Sequence, residues 1–468
     1  MLFNSIQFIL FFIFVCFLFY LLPHRIRWLH LLISSCLFYC AFIPVYLIIL
    51  FITIIIDYFA GIFIERALGV NKKKILLLSI VSNLLILCLF KYYNFFVENI
   101  NWGLSFFSET KLSLLTFILP IGLSFHTFQA MSYTIEVYRG NQKAEKHFGI
   151  YSLYVMFFPQ LVAGPIERPQ HMLHQFYITK KPEIDRIFSG IQQMIWGLFK
   201  KAVVADLLGL YVDSIYNNYQ MNTGCTFIVA TYAFAFQIYC DFSGYSDIAI
   251  GAAKVLGYDL MENFNLPYFS KSVTEFWRRW HISLSGWLRD YLYISLGGNR
   301  KGILFTYRNL LITMLLGGLW HGASWNFVIW GFLNGLYLSL EKALKLNFNS
   351  NNRFFNLIRT FITFNLISFT WIFFRSRNFD QSLFIIKNIF NSNYFLNLRI
   401  QDTGIFASMI FSTVILVLFE FLFFRKYNFK TSKQQVMSLK NIAFVIFFIF
   451  IIILFGVSEG DQFIYFQF

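Results

Sequence analysis

Long apolar runs separated by short polar segments dominate the chain. A helix needs about 20 apolar residues to cross the hydrocarbon core of a membrane, and many of these runs approach that length. Pro44 divides one long apolar region, so we expect two helices there rather than one. The predicted spans lie near residues 6–22, 29–42, 45–64, 75–92, 113–137, 202–216, 224–251, 303–320, 324–345, 354–374, 404–424 and 441–457. The pattern predicts an all-α, polytopic membrane protein with about 11–12 crossings and a single domain over residues 1–468.

The composition agrees with a membrane protein and excludes several other classes. Hydrophobic residues make up 58% of the chain and charged residues only 13%, whereas a soluble domain carries about 25% charged residues. Intrinsic disorder, collagen and secreted disulfide scaffolds are excluded on the same grounds. The 6 cysteines lie in apolar stretches and form no C-x-x-C pair, which is typical of small buried side chains rather than of a disulfide or metal site.

In a membrane protein, the net charge of +15 mainly reflects which loops face the cytoplasm. Loops rich in Lys and Arg face the cytoplasm, and the basic loops are His24–Arg27, Glu65–Lys74, Arg139–His147 and Arg425–Lys440. Both termini then face the extracytoplasmic side. Arg375 and Arg377 fall on that outer side as well, which conflicts with the rule and indicates an error in at least one assignment.

Polar residues at membrane depth are costly and therefore mark candidate sites. Gly164–Pro169 contains two prolines and a glycine that end any helix; it is either an interfacial loop or a re-entrant turn that brings Arg168 near an anionic group. Asp241 and Asp247 lie within one predicted span, with Gln237, Asp241 and Tyr245 on one helix face. A structural polar network and a functional role are both open for these two carboxylates.

The segment Lys271–Lys301 is too polar for a plain span and too aromatic for a plain loop. A re-entrant or interfacial helix on the cytoplasmic side fits it best. Arg278, Arg279 and Arg289 could hold the phosphates of a cytosolic donor, because guanidinium groups match phosphate geometry. Binding of lipid headgroups by an amphipathic helix is the alternative.

His321 ends an apolar span and has small residues around it in GGLWHGASW. Gly317 and His321 are expected to share a helix face, as are His321 and Trp325, and the glycines leave room beside the imidazole for a ligand or a neighbouring helix. We therefore predict a catalytic rather than a purely structural histidine. His171 and His174 are three residues apart, but no carboxylate or cysteine completes a zinc set, so no metal is predicted.

Four ordered strings identify a resemblance: FSGYSDIAIG, ENFNLPY, FWRRWHISLSGWLRDYLYISLGGNRKG and GLWHGASWNFVIWG. Together they resemble the membrane-bound O-acyltransferase (MBOAT) superfamily and, within it, the bacterial branch that O-acetylates alginate and peptidoglycan. The signature covers about residues 230–335, with weaker likeness over most of the chain. The resemblance implies a ring of transmembrane helices with re-entrant helices around a central tunnel, in the bacterial cytoplasmic (inner) membrane.

The resemblance also implies site residues and a reaction. His281 and His321 match the two functional histidines, and acetyl-CoA is implied as the cytosolic acyl donor. Trp280, Trp320 and Asp241 are expected beside that donor together with the three arginines, and Asp241 is also a candidate for fixing an imidazole tautomer. In the aromatic tail (residues 458–468), Tyr465 resembles an acyl-carrying relay that serves an extracytoplasmic SGNH-type partner; an aromatic belt at the membrane surface is the alternative.

Three functions therefore stay open. The first is O-acetylation of a cell-wall or extracellular polysaccharide, with peptidoglycan slightly favoured over an alginate-like polymer because the chain lacks added domains. The second is D-alanyl transfer from a carrier protein to teichoic acid. The third is a transporter or flippase, for which inverted repeats and paired broken helices would be expected.

Overall fold

The computed structural model describes residues 1–107, 111–116, 120, 122–162, 164–344, 352–391, 398, 400, 402–422, 438–457 and 464. These residues contain helices and loops and no β-strand, which confirms the predicted all-α class. They divide into two compact units, one of Met1–Ile191 with Ala249–Met261, and one of Gln192–Ile248 with Glu262–Phe468. The two long helices α10 (Ile184–Leu198) and α12 (Gly224–Val255) contribute residues to both units.

The first unit is built from apolar helices in which α3 packs against α4 and α6. Its own helices are α1 (Ile6–Leu21), α2 (His24–Cys40), α3 (Tyr46–Arg66), α4 (Gly69–Leu87), α5 (Tyr93–Leu104), α6 (Leu123–Arg139), α7 (Phe148–Met156), α8 (Phe158–Leu161) and α9 (Pro169–Met172). A π-helical turn, Cys88–Tyr92, joins α4 to α5. As Pro44 predicted, α2 and α3 are separate helices.

The second unit holds most of the polar stretches singled out above. Its own helices are α11 (Asp206–Asn217), α13 (Val273–Arg279), α14 (Ile282–Trp287), α15 (Ile303–His321), α16 (Trp325–Ala343), α17 (Arg353–Arg375), α18 (Phe379–Ile389), α19 (Thr403–Leu422) and α20 (Leu439–Phe455). Two π-helical segments, Phe199–Ala205 and Leu288–Tyr293, follow α10 and α14 directly. π-helical turns are rare and frequently mark functional sites.

Six described helical stretches are long and apolar enough to cross a membrane, namely Tyr46–Arg66, Gly69–Leu104, Gly224–Val255, Ile303–His321, Arg353–Arg375 and Thr403–Phe421. Ile6–Leu21 and Leu439–Phe455 are apolar but shorter. The protein is therefore a polytopic membrane protein, while the count of about 11–12 crossings stays a prediction.

One predicted span begins in the wrong place. Residues 111–116 are not helical, and α6 starts only at Leu123. Pro120 and Gly122 explain the late start, because Gly122 adopts a left-handed conformation with φ of 75° that ends any helix arriving from its N-terminal side.

The two arginines that violated the charge rule are both paired within the second unit. Arg375, at the end of α17, forms an ion pair with Asp213 of α11, and Arg377 donates a hydrogen bond to Asn217 Oδ1 at 2.6 Å. Their charge therefore serves contacts between helices, which a rule that counts Lys and Arg in loops does not consider.

Close helix contacts hold the second unit together where the polar residues lie. A Cβ atom on Gly197 of α10 would meet the Gly244 carbonyl oxygen of α12 at 2.6 Å, and one on Gly244 would meet the Gly197 oxygen at 2.8 Å. A Cβ atom on Gly318 of α15 would likewise lie 2.2 Å from the Phe327 oxygen of α16. Such approaches need glycine, and they fix the neighbouring side chains on both helices.

A candidate catalytic site around two histidines

His281 lies at a break between two short helices rather than on one continuous helix. The segment predicted as a re-entrant or interfacial helix is α13 followed by α14, and His281 between them has φ of 42° and ψ of 55°. This left-handed conformation is unfavourable for a residue with a Cβ atom, by about 1–3 kcal/mol, and persists only where the surroundings hold it. His281 is fully buried, with 0% of its surface exposed.

The loop that carries ENFNLPY holds this break in place through main-chain bonds. The Asn265 N–H donates to the Arg279 carbonyl at 2.9 Å, and the Ile282 N–H donates to the Asn263 carbonyl at 2.8 Å. The loop thus brackets His281 on both sides and satisfies backbone groups that the two short helices leave open.

The side chain of Asn263 fixes the orientation of the His281 imidazole. Its Oδ1 atom lies 3.1 Å from His281 Nδ1, and it accepts hydrogen bonds from the Ser283 N–H at 3.2 Å and the Ser283 hydroxyl at 2.8 Å. Because a backbone N–H can only donate, the amide atom that faces it must be the oxygen. His281 Nδ1 therefore carries the proton in this arrangement, and Nε2 carries the lone pair.

Asn263 is itself anchored on the other side of its amide, where Nδ2 donates to Ser246 Oγ of α12 at 3.2 Å. Phe242, one turn earlier on α12, packs edge-on against the His281 ring at 4.6 Å between centroids. The imidazole is thus held by hydrogen bonds at one edge and by aromatic packing on its face, which restricts it to one orientation.

His321 is the last residue of α15, and an aromatic cage surrounds it. The side chain is buried, at 4% exposure. The ring centroids of Trp320, Trp330 and Phe374 lie 5.0, 5.1 and 5.4 Å from the imidazole centroid, all edge-on.

The expected shared face of His321 and Trp325 is wrong. The helix ends at His321, Gly322 is extended, and Trp325 begins the next helix with 56% of its surface exposed. The turn between α15 and α16 breaks the register that a single helix would keep, and Trp330, five residues further on, contacts the histidine instead.

The structure brings the two candidate histidines to the same indole. The Trp320 ring centroid lies 6.1 Å from that of His281 and 5.0 Å from that of His321. The outer aromatic wall continues from Trp330 through Trp371 to Trp280, with centroid distances of 5.8 and 5.1 Å. The arrangement can shield two imidazoles from water and hold them in fixed positions.

The side chains predicted to contact the donor lie in different environments. Arg278 is exposed. Arg279 pairs with Glu275 at 2.6 Å, and Arg289 pairs with its neighbour Asp290 at 2.7 Å. Trp280 is buried and stacks on Phe276 at 5.4 Å, so it forms part of the aromatic core. Donor contacts by these residues stay predictions.

Asn263 lies beside the imidazole of His281, whereas Asp241 pairs with a lysine; a role of Asp241 in fixing an imidazole tautomer stays a prediction. Asp241 Oδ1 lies 2.9 Å from the ammonium group of Lys201, which also lies 2.7 Å from Asp206 Oδ1. Sequence reasoning missed both Asn263 and Lys201. A signal for the lysine exists, since Lys200 and Lys201 interrupt an apolar run and Asp241 and Asp247 interrupt another with matching charge.

The neighbouring lysine completes this network of buried charges. Lys200 forms an ion pair with Asp247 and donates to the Ser243 hydroxyl at 2.9 Å. On α12, which also carries Ser243 and Asp247, the Tyr239 hydroxyl donates to the Glu420 carboxylate of α19 at 2.6 Å. Asp241 and Asp247 thus take part in a polar network between helices, the structural one of the two roles that the sequence leaves open for them.

The Gly164–Pro169 stretch belongs to the first unit. Glu167 is buried; its Oε1 accepts the Met261 N–H at 2.6 Å, and its Oε2 lies 2.7 Å from His171 Nδ1. This hydrogen bond raises the pKa of His171, because the carboxylate stabilises the protonated ring. His174 Nδ1 lies 3.0 Å from the Gln170 carbonyl oxygen. Tyr465, the predicted relay, lies outside the described residues.

Comparison with known proteins identifies the class. The sequence model of the membrane-bound O-acyltransferase (MBOAT) family matches residues 67–379. The chain belongs to this family and is a membrane-bound O-acyltransferase.

Individual relatives narrow the likeness. The chain is 44% identical to a protein named probable alginate O-acetylase AlgI of Pseudomonas syringae pv. tomato, over 77% of this chain and 69% of that protein. It is 35% identical to the peptidoglycan O-acetyltransferase of Helicobacter pylori, over 78% of this chain and 74% of that protein. It is 25% identical to the teichoic acid D-alanyltransferase of Bacillus subtilis, over 56% of this chain and 70% of that protein. The likeness confirms the expected bacterial O-acetyltransferase branch of the family.

Proposed function

We propose that the protein moves acetyl groups from cytosolic acetyl-CoA across the bacterial cytoplasmic membrane for the O-acetylation of an extracytoplasmic polysaccharide. The observation that carries the proposal is the pair of buried histidines, His281 and His321, that meet at Trp320 in a chain of the O-acyltransferase family. The names of the relatives that are 44% and 35% identical support acetyl as the transferred group.

In the proposed reaction, His321 is the general base. An acceptor hydroxyl is a weak nucleophile until a base removes its proton during attack. The hydroxyl oxygen attacks the thioester carbonyl, a C–O bond forms, the C–S bond breaks, and the proton passes through His321 to the departing thiolate, which leaves as the free thiol. The position of His321 at the end of α15 supports this role, because the helix dipole stabilises the transient imidazolium.

His281 is proposed to act on the donor side. With Nδ1 bound to Asn263 Oδ1, its Nε2 lone pair can accept a hydrogen bond and orient a donor group, rather than donate to an oxyanion. Asn263 is the positioning residue in this account, since it sets which imidazole nitrogen carries the proton.

Replacing Asn263 by leucine is expected to lower kcat for acetyl transfer roughly tenfold or more, with a smaller change in KM for the acceptor, because the His281 tautomer is no longer fixed. Asn263→Asp, which keeps an acceptor oxygen for Ser283 and His281, is expected to retain more activity. The matched control is Asn265→Leu in the same loop, whose side chain is exposed. Equal kcat values for Asn263→Leu and Asn265→Leu would remove Asn263 from the account.

The polymer is proposed only as a class. The preference for peptidoglycan receives no support from the comparisons, since an alginate-named relative is more similar, at 44% identity, than the peptidoglycan-named one, at 35%. Membership of an acyltransferase family argues against a transporter. D-alanyl transfer is the alternative to test directly, because a relative that is 25% identical carries that name.

A donor comparison tests the proposal. The purified protein in sealed vesicles receives either acetyl-CoA labelled in its acetyl group or a carrier protein charged with labelled D-alanine, with alginate, peptidoglycan and teichoic acid offered in turn on the opposite side. We expect acetyl label in ester linkage on one of the first two polymers or, where the extracytoplasmic partner is absent, on the protein itself. Transfer of D-alanine alone, or label from neither donor with folded protein, would contradict the proposal.

Tyr465 is proposed as the relay that carries the acetyl group as an aryl ester and passes it to an extracytoplasmic SGNH-type partner. Tyr465→Phe, which removes only the hydroxyl, is expected to abolish transfer to the polymer, since the relay then has no nucleophile. Acetylated polymer is measured after hydroxylamine release of the ester-bound label. Tyr337→Phe serves as the control at another tyrosine, and near-normal transfer by Tyr465→Phe would refute the relay.

A further inference from the structure

Val457 and Ile464, two described residues of the C-terminal segment that follows α20 (residues 456–468), donate main-chain hydrogen bonds to the region of the buried polar network. The Val457 N–H donates to the Ala202 carbonyl, within the π-helical segment Phe199–Ala205, at 3.0 Å. The Ile464 N–H donates to the Asp241 Oδ2 atom at 2.7 Å. Ile464 is buried. These contacts fasten the segment at two points that are seven residues apart in sequence.

The carboxylate of Asp241 has two different partners on its two oxygens. Oδ1 faces the ammonium group of Lys201 at 2.9 Å, and Oδ2 accepts the Ile464 N–H. Asp241 is 3% exposed and Lys201 1%, so the carboxylate and the ammonium group form a buried ion pair. An ionised acceptor binds a backbone N–H more strongly than a neutral one does.

The other carboxylate on Lys201 provides an internal comparison. Asp206 approaches the same ammonium group at 2.7 Å, whereas the Ile464 N–H donates to Asp241. Lys201 therefore has one partner within its own helical run and a second partner, Asp241, that also holds the C-terminal segment. The network needs only one carboxylate to neutralise Lys201, and the second is the one that binds the segment.

The buried surroundings explain why such an anchor is needed. Ile464 belongs to the same contiguous apolar cluster as Trp280, Trp330 and Trp371, and Trp330 contacts His321. A backbone N–H that enters an apolar cluster must find an acceptor or bear the cost of desolvation. Asp241 supplies that acceptor for the buried Ile464.

We propose that Asp241, neutralised by Lys201, is the anchoring residue that docks the C-terminal segment into the apolar cluster shared with the candidate catalytic site. Tyr465 follows Ile464 directly in the sequence, so the anchor lies one residue before the proposed relay tyrosine. That second statement rests on the proposed function; the docking itself does not.

Labelling of a single cysteine measures docking without acetyl transfer. The 6 native cysteines are replaced by alanine, Gln467→Cys is introduced, and its reaction rate with a membrane-impermeant maleimide is followed in sealed vesicles. Loss of a hydrogen bond to a charged group is expected to raise the labelling rate roughly tenfold or more. Two substitutions remove that bond from opposite sides: Asp241→Leu removes the acceptor, and Ile464→Pro removes the N–H donor.

Each substitution has a matched control. Asp206→Leu also leaves Lys201 with one carboxylate but keeps the acceptor for Ile464, and Ile464→Ala keeps the N–H while removing the apolar side chain. We expect Asp241→Leu to label faster than Asp206→Leu, and Ile464→Pro faster than Ile464→Ala. Ile464→Pro lies in the segment after the last helix, so this arm remains informative if Asp241→Leu fails to fold.

The outcomes separate docking from the reaction. Equal labelling rates for Ile464→Pro and Ile464→Ala would overturn the anchor, whatever their acetyl transfer. Faster labelling with intact acetyl transfer to the polymer would support docking and contradict only the relay by Tyr465. Faster labelling together with lost transfer supports both statements.

Discussion

Replacement of His321 by alanine is expected to reduce the rate of acetyl transfer about a hundredfold to ten-thousandfold, the usual contribution of a positioned general base. The residue is the proposed proton acceptor, and its imidazole lies against Trp320, Trp330 and Phe374. The measurement is the initial rate of label transfer from acetyl-CoA at saturating acceptor.

The control for this substitution is His174→Ala, which removes an exposed imidazole in the other compact unit. It is expected to transfer acetyl at the wild-type rate. Donor affinity should change little in His321→Ala, because the proposed role is in the chemical step. A rate within a few-fold of wild type, in protein that unfolds at the normal temperature, would exclude His321 as the base.

Replacement of Lys201 by methionine is expected to destabilise the folded protein by about 3–5 kcal/mol, the usual cost of removing one partner from a buried ion pair. Asp206 and Asp241, both buried, would then face each other without the ammonium group that lies within 2.9 Å of each. The measurement is the midpoint of thermal unfolding in detergent micelles.

A compensated variant distinguishes charge from packing in this experiment. In Lys201→Met combined with Asp206→Asn and Asp241→Asn, no buried charge is left unpaired, and much of the lost stability is expected to return. Lys73→Met, at an exposed lysine of α4, is the control for removing a charge. If the single and triple variants unfold at the same temperature, the ion network contributes less than the structure implies.

Sequence periodicity predicted most of the helices, and the family strings singled out His281 and His321, whose roles stay predictions. The apolar runs predicted α15 and α17 to within a few residues, because a membrane helix is recognised by length and composition alone. The charged partners of a helix end, such as those of Arg375, depend on which helices become neighbours, and the pattern along one helix does not carry that information.

The contacts of His281 show the limit most clearly. The string FWRRWHISLSGW reads as one amphipathic helix, yet the chain breaks at His281 because the loop around Asn263 binds both sides of the break. Asn263 is 18 residues away from His281 in sequence. The left-handed backbone of His281, which aligns its ring with the Asn263 side chain, cannot be predicted from local propensity. From the sequence, Asp241 is therefore the candidate partner for an imidazole, whereas the structure shows it paired with Lys201.

The same reasoning explains the misplaced tryptophan. An i, i+4 relation between His321 and Trp325 holds only within a continuous helix, and Gly322 ends that helix in an extended conformation. The glycines around His321 are expected to leave room for a ligand or a neighbouring helix. In the structure, Gly318 allows α16 to approach α15 closely, and Trp330 of α16 contacts the histidine.

Time courses of label transfer show whether the acetyl group of acetyl-CoA becomes an oxygen ester on an acceptor through His321. Acetyl-CoA labelled in the acetyl group is mixed with purified wild-type protein, His321→Ala and His174→Ala in vesicles with the polysaccharide acceptor, and both free thiol and ester-bound label are followed in time. The account predicts that thiol and ester appear together with wild type and His174→Ala and that both are nearly absent with His321→Ala. Equal ester formation by His321→Ala and wild type would contradict it.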